Sequence, residues 1–391
     1  MMKKFWKKSA AVFLAAVLLL MPALAQASAL TPAEAAHLRF GADGKFTILQ
    51  FADIQDGPGL LPPTAKFLKA ALEDVQPDLV VLTGDNIMGS NSKTYDQTKK
   101  AISKFMDIFQ EAGVPVAAVF GNHDDEGGIT KEQQMAIYMT YDCFIGYDEG
   151  PDIYGVGNYN VPIYSSTDAG KVAYNLWMID SGTYDAESGG YDYVRPSQIA
   201  WYQAKSDELK AANGGVPVDS MMFQHIVIPE VYECFNEVAF GTPGAVAING
   251  KFYVLNPDLT HAGVLGEGAY SAHVNGGLFD AVLAQGDVRA MIFGHDHANT
   301  YEVDCRGVDL ICSPTAGMAS YGTPQRGARV IEIDENNTAV YQTRLVKYSS
   351  YFTFGSLLNP VYNVMYGFWQ IAFPVMKVFY LIDSVTGLSV F

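Results

Sequence analysis

Short apolar runs alternate with amphipathic stretches along the chain from residue 45 to residue 335. The apolar runs predict buried β-strands, because a strand covered on both faces is apolar at successive positions. The amphipathic stretches place apolar residues three and four apart, which predicts helices that pack on those strands. Strands are predicted over 46–53, 77–86, 114–124, 172–180, 220–229 and 287–297, with a hairpin-like end over 308–315 and 328–334, and helices over 63–76, 95–112 and 195–212. This alternation predicts an α/β domain with buried sheets.

The first 27 residues read as a signal peptide, followed by a short lead-in over 28–44 and the α/β domain over 45–335. Four lysines precede an apolar stretch, and small residues stand at A-x-A spacing at Ala25 and Ala27. A retained membrane anchor is the alternative, but Pro22 and the small-residue site follow the apolar core. We therefore expect a bacterial protein that is secreted, periplasmic or on the cell surface.

The tail over 336–391 is rich in apolar and aromatic residues, yet Pro360, Asn363, Pro374 and Lys377 interrupt it. A bilayer-spanning helix needs about 20 mainly apolar residues, which this tail only approximates. We expect it to pack on protein, in self-association or on its own domain, or to associate peripherally with a membrane.

Composition limits the class of protein and the kinds of molecule that the chain can bind. The 391 residues are 49% hydrophobic, which excludes a largely disordered chain. Lysine and arginine number 25 against 42 acidic residues, a formal net charge of -17. Such a surface repels nucleic acid, so no nucleic acid binding is expected, and a phosphate-bearing substrate needs a local positive centre. Four cysteines are too few for a disulfide scaffold, and their pairing stays open.

Polar residues able to bind metal follow the ends of five apolar runs. Ligands gather at such strand ends in α/β sheets, because the loops there converge over a rigid base. Each residue alone has an ordinary reading as a loop, cap or core residue, but four of the seven histidines fall at these ends. Together they predict one shared metal site. The residues are Asp53, Gln55, Asp85, Asn86, Asn122, His123, Asp124, His225, His295 and His297.

Five blocks in order, "FADIQ", "LTGDN", "FGNHDDE", "FQHIV" and "FGHDH", resemble the calcineurin-like metallophosphoesterase superfamily. The segments "GVGNYNVPIY" and "MIDSGTYD" are similar to its branch of small proteins related to purple acid phosphatases. The resemblance covers about residues 45–335 and implies a four-layer α/β/β/α sandwich of two mixed β-sheets flanked by helices.

The resemblance also implies roles for individual residues. Asp85 would bridge two metal ions, manganese, iron or zinc, that hydrolyse a phosphate ester through a metal-bound hydroxide. His123 would act on the leaving oxygen, with Asp124 orienting its ring. Two open alternatives are a cyclic-nucleotide or other phosphodiesterase, and a non-catalytic surface binding protein with a degenerate metal site. The remaining ligands would be Asp53, Gln55 and His297 for one ion and Asn122, His225 and His295 for the other.

Two positions depart from the family pattern. Gln55 stands where the family usually has histidine, so that position either binds its metal less tightly or points away. Met88 stands where true purple acid phosphatases have a tyrosine ligand, so no purple colour is expected. Arg195 is a candidate phosphate contact, although the following Pro196 favours a reading as the start of a helix.

Overall fold

The computed structural model describes residues 30–352 and scattered positions between 368 and 378. The predicted signal peptide and most of the tail beyond residue 352 lie outside the described residues. Within the described part of the chain, no helix is both long and apolar enough to cross a membrane.

The described strands and helices follow the predicted alternation. The strands are β1 (Lys45–Phe51), β2 (Leu79–Thr83), β3 (Val116–Val119), β4 (Tyr159–Tyr164), β5 (Val172–Met178), β6 (Tyr184–Asp185), β7 (Gly190–Tyr191), β8 (Ser220–Phe223), β9 (Phe235–Val238), β10 (Val246–Ile248), β11 (Lys251–Leu255), β12 (Thr260–Ala262), β13 (Val288–Phe293), β14 (Glu302–Cys305), β15 (Val308–Cys312), β16 (Gly327–Asp334) and β17 (Tyr341–Lys347). The helices are α1 (Pro32–Ala36), α2 (Pro62–Val75), α3 (Tyr95–Ala112), α4 (Lys131–Tyr138), α5 (Pro196–Ala212), α6 (Leu278–Gln285) and α7 (Tyr348–Tyr351).

Two large mixed sheets form the centre of the domain. A five-stranded sheet has the order β17-β16-β1-β2-β3, in which β1, β2 and β3 run parallel. A seven-stranded sheet has the order β12-β14-β15-β13-β8-β5-β4, in which β5, β8, β13 and β15 run parallel. Parallel strands end at the same edge of their sheet, so the loops that follow them lie together.

Three apolar clusters hold the layers together. Inner-face residues of both sheets, such as Ile48, Val81 and Ile292, share one buried cluster, so the two sheets pack face to face. The outer face of the five-stranded sheet packs on α2, α3 and α4. The outer face of the seven-stranded sheet packs on α5 and α6. The predicted four-layer α/β/β/α sandwich is therefore confirmed.

Local sequence explains where the long helices begin and end. Thr94 caps α3 by accepting a hydrogen bond from the Gln97 backbone N–H, and Gly113 ends this helix with a left-handed φ of 66°. Thr130 and Gln133 form a reciprocal capping box at the start of α4. These signals are local, which is why the predicted bounds of α3 agree with the structure.

The structure corrects one predicted strand pairing and one predicted domain boundary. Residues 308–315 and 328–334 do not pair as a hairpin, because β15 pairs with β13 and β14, while β16 pairs with β1 and β17 in the other sheet. The domain also extends past residue 335, since β17 forms an edge strand and Tyr348 is buried in the core. The predicted tail therefore begins too early at residue 336.

Candidate metal centre

The predicted site residues lie in the loops after β1, β2, β3, β8 and β13. Several of these residues have unusual backbone conformations. Asp53, Gln55, Asp85 and His295 have φ values of 52°, 45°, 48° and 72°, in the left-handed region. This conformation costs a non-glycine residue on the order of 1 kcal/mol or more, so the surrounding packing must hold it. The sharp turns aim the side chains of these residues back across the sheet edge.

Two groups of donor atoms share one carboxylate. Asp85, His225 and His295 form the first group, and Asp53, Asp85 and His297 form the second, with the candidate ligand atoms of each within 4.8 Å of one another. The Nε2 atom of His225 lies 3.2 Å from Asp85 Oδ2, and His297 Nε2 lies 3.3 Å from Asp53 Oδ1. This arrangement suits two cations bridged by Asp85.

Four of the predicted ligand atoms at this edge are buried and lack a hydrogen-bond partner in the described structure. They come from the loops after β1, β3 and β13 and include both amide oxygens that were predicted as ligands. Buried polar atoms of this kind normally have a partner, so an unpaired set indicates a ligand. Oxygen and imidazole nitrogen are suitable donors for manganese, iron or zinc, and the residues therefore fit two such ions. The atoms are Asp53 Oδ1, Gln55 Oε1, Asn122 Oδ1 and His295 Nε2.

Backbone groups fix the orientation of the rings and carboxylates. The Nδ1 atom of His225 lies 2.8 Å from the carbonyl oxygen of Thr83, and His297 Nδ1 lies 3.0 Å from that of Tyr321. A carbonyl at Nδ1 selects the tautomer that leaves Nε2 as an acceptor for a metal. Asp85 Oδ1 accepts a hydrogen bond of 2.7 Å from the His123 backbone N–H.

The electrostatics of the site are dominated by its buried carboxylates. Burial opposes ionisation of Asp85, but the neighbouring His225 ring holds the pKa of this carboxyl well below its usual range. Burial likewise opposes protonation of His225, yet Asp85 raises the pKa of its ring to about 9. The Asp85 carboxylate is thus stabilised only beside a positive charge, which a metal ion also provides.

Asp124, which was expected to orient the His123 ring, contacts backbone groups instead. Asp124 is fully buried and accepts hydrogen bonds from the backbone N–H groups of Gly121 at 2.8 Å and Ile87 at 3.0 Å. Burial raises the pKa of this carboxyl to about 7, and the nearby Asp85 charge adds to the effect. Asp124 therefore joins the loops after β2 and β3.

Glu126 lies beside the His123 ring instead. The turn over His123–Glu126 is a 3-10 helix, which brings residues three apart onto one face. His123 Nδ1 lies 2.9 Å from Glu126 Oε2, while His123 Nε2 lies 3.9 Å from Asp85 Oδ2. The ring thus spans from the shared carboxylate to Glu126, and it is about one-third exposed.

Sequence reasoning missed Tyr184, one of the two tyrosines that border the site. The Tyr184 hydroxyl accepts a hydrogen bond of 2.9 Å from Asn122 Nδ2 and lies 3.2 Å from Glu126 Oε1. This contact turns the amide oxygen of Asn122 away from Tyr184. The Tyr191 ring packs edge-on against His295, with ring centroids 4.4 Å apart. Both tyrosines lie on the β6–β7 hairpin, which is too short to give a hydrophobic pattern.

Arg195 has a structural role. It precedes α5 as its cap residue, as the following proline indicates. Its guanidinium lies 2.5 Å from Asp192 Oδ1 and 3.3 Å from Asp185 Oδ1. These two carboxylates occupy the guanidinium, so the interpretation of Arg195 as the start of a helix holds.

The chain is similar to several known proteins. The calcineurin-like phosphoesterase family matches residues 46–299. A protein of Arabidopsis thaliana named "Probable inactive purple acid phosphatase 29" is 30% identical over 337 residues, which cover 78% of this chain and 80% of the relative. "Phosphatase DCR2" of Saccharomyces cerevisiae is 28% identical, over 81% of this chain and 57% of the relative. A crystal structure of a dimetal phosphatase from Danio rerio aligns with a TM-score of 0.46 and 16% identity, over 78% of this chain and 99% of the other.

Gly121 provides a test of the donor geometry. A Cβ atom at this position would lie 2.2 Å from Asp85 Oδ1 and 2.8 Å from the His225 ring. We expect Gly121→Ala to displace both side chains and to weaken Mn²⁺ binding by about tenfold or more in isothermal titration calorimetry. Gly59→Ala is the control, because a Cβ there meets no atom within 4 Å. Equal affinities for Gly121→Ala and wild type would contradict the geometry.

The family match spans well over half of the chain, and the Arabidopsis relative is similar across most of its own length. The chain therefore belongs to the calcineurin-like phosphoesterase family and is a metal-dependent phosphoester hydrolase.

Proposed function

We propose that the chain is an exported binuclear metal-dependent phosphoesterase that hydrolyses phosphate esters at the edge formed by the loops after β1, β2, β3, β8 and β13. One observation carries the proposal: unpaired buried donor atoms from three loops lie at a site where two groups of ligands share Asp85. Two cations held there would polarise the phosphate and supply a nucleophile at neutral pH.

The predicted ligands would be divided between the two ions. Asp53, Gln55 and His297 would hold one ion and Asn122, His225 and His295 the other, and Asp85 would serve as a ligand to both. Because these side chains are buried and oriented by backbone groups, little reorganisation accompanies the reaction. The positive charge of the ions also offsets the net charge of -17, which otherwise repels a phosphate ester.

His123 is the residue placed to handle a proton. Its Nε2 atom faces the shared carboxylate, and its partial exposure leaves the ring accessible to an ester. Glu126 lies at Nδ1 and would orient the ring, so that Nε2 can donate a proton to the leaving oxygen. Glu126 thus takes the orienting role that the sequence suggested for Asp124.

A non-catalytic binding protein is the competing function, and the word "inactive" in the names of the Arabidopsis relatives favours it. Against this reading, the chain keeps the shared carboxylate, the three predicted histidine ligands and His123. Monoester and diester hydrolysis both fit such a site, so phosphodiesterase activity is a second outcome of the substrate tests below.

Metal removal tests the hydrolase directly. Treatment with a chelator should abolish hydrolysis of aryl phosphate mono- and diesters, and added Mn²⁺ should restore it. We expect His225→Ala to lower kcat/KM by roughly 100-fold or more, because one ligand group loses one of its two imidazoles. His261→Ala is the matched control, since His261 is exposed and lies outside the donor groups that contain Asp85. Chelator-resistant hydrolysis, or equal rates for His225→Ala and wild type, would count against this function.

The role of Glu126 predicts a dependence on the leaving group. Protonation matters most when the departing alcohol is a poor leaving group. Glu126→Gln should therefore slow hydrolysis of an alkyl phosphate by on the order of tenfold more than that of a nitrophenyl phosphate. Glu111→Gln is the control, since Glu111 is exposed on α3. Equal losses on both esters would show that Glu126 does not act through His123.

Export rests on the N-terminal segment alone. Its basic start, apolar stretch and A-x-A spacing are typical of a Sec signal peptide. N-terminal sequencing of protein from the envelope and culture fractions of producing cells should find a chain that begins near Ser28. A chain that retains residue 1 in those fractions, or one found only in the cytoplasm, would refute export.

A further inference from the structure

We propose that Cys234 and Cys305 form a disulfide that joins the two chain segments carrying the histidine ligands. Cys234 ends a 3-10 turn over Pro229–Cys234, which follows the loop of His225. Cys305 ends β14, which follows the loop of His295 and His297. A bond between the two sulfurs would therefore connect both histidine loops at their far ends.

Each thiol lies against the chain segment that carries the other cysteine. Cys234 Sγ lies 3.3 Å from the carbonyl oxygen of Asp304, the residue before Cys305. Cys305 Sγ lies 3.8 Å from the carbonyl oxygen of Glu230, in the turn that ends at Cys234. Interaction between the two thiols raises the pKa of Cys234 and lowers the pKa of Cys305. An S–S bond of about 2.05 Å would join these two adjacent segments.

The other cysteines do not compete for this pairing. The Cys312 thiol lies 3.6 Å from the Gly294 carbonyl oxygen and 3.7 Å from that of Asp296, on the side of β15 that faces the histidine loop. Cys143 packs on the apolar cluster outside the five-stranded sheet, whereas Cys234 and Cys305 share the cluster outside the seven-stranded sheet. The geometry therefore favours the Cys234–Cys305 pairing over the other possible pairings of the four cysteines.

The chemistry balances by exchange with a disulfide such as oxidised glutathione. The Cys305 thiolate attacks one sulfur of that disulfide and forms a mixed disulfide, releasing the first glutathione thiolate. The Cys234 thiolate then displaces the second glutathione, and the two cysteine protons pass to water and the released thiolates. The pair loses two electrons, and the added disulfide gains them. Because both sulfurs are buried, the bond forms as the chain folds and becomes accessible to a reductant when the chain unfolds.

The expected consequence is a more stable pair of histidine loops. The bond closes a loop of about 70 residues, which restricts the unfolded chain more strongly than a short loop does. The closed segment contains β9–β13 and the loop of His295 and His297. We expect reduction to lower the Tm of the full chain by several degrees, on the order of 5 °C or more.

Peptide mapping tests the proposal on the full chain, folded in a glutathione redox buffer and alkylated without reduction. The expected result is a linked peptide pair containing Cys234 and Cys305, with Cys143 and Cys312 alkylated. Four alkylated cysteines, or a link between any other two, would overturn the proposal. This readout needs no enzyme activity, so it is independent of the proposed function.

Thermal unfolding with and without a reductant supplies the second readout. A reductant should lower the Tm of wild type and of Cys143→Ser, because both retain the bond. It should leave the Tm of a Cys234→Ser, Cys305→Ser double variant unchanged. An equal reductant effect on the wild type and the double variant would contradict the proposal, and the wild-type peptide map decides the matter if that variant fails to fold.

Discussion

The charge of the Asp85 carboxylate is the constraint on which the site depends. This carboxylate is buried at the end of β2, where it accepts a hydrogen bond from the His123 backbone and lies 3.2 Å from the His225 ring. A buried anion is costly unless positive charge lies beside it, and burial close to Asp53 and Asp124 increases that cost. The donor atoms around Asp85 are arranged so that cations can supply the missing charge from two sides.

The fold makes this arrangement rigid. Five loops leave the ends of strands that are buried in two packed sheets, so their first residues have little freedom. Close packing then leaves the loops few other conformations. Gly84 lies so near His225 that a Cβ atom would come within 2.6 Å of the ring. The φ of Gly84, 84°, also favours glycine. The left-handed turns at Asp53, Asp85 and His295 are held by the same packing. The same packing therefore holds the strained backbone and positions the ligand side chains.

Much of this could be predicted from the sequence because the signals are local. Apolar runs give β1, β2, β5, β8 and β13, and a threonine cap with a closing glycine gives α3. The site residues follow these runs directly, so their convergence at one edge follows from parallel strands.

Contacts between distant residues were harder to predict. The short β6–β7 hairpin brings Tyr184 to Asn122, and β16 joins β1 rather than β15. Such pairings depend on the whole packed structure, and no local pattern encodes them. Glu126 was visible in "FGNHDDE", but only the 3-10 turn shows that it, and not Asp124, lies beside His123.

A crystal structure of the full chain with Mn²⁺, measured at the manganese absorption edge, tests the central claim most directly. The account predicts two anomalous peaks about 3.5–4 Å apart, each within bonding distance of one Asp85 carboxylate oxygen. One of these peaks should contact His225 and His295, and the other should contact Asp53 and His297. A single peak, or two peaks that do not share Asp85, would contradict the binuclear centre.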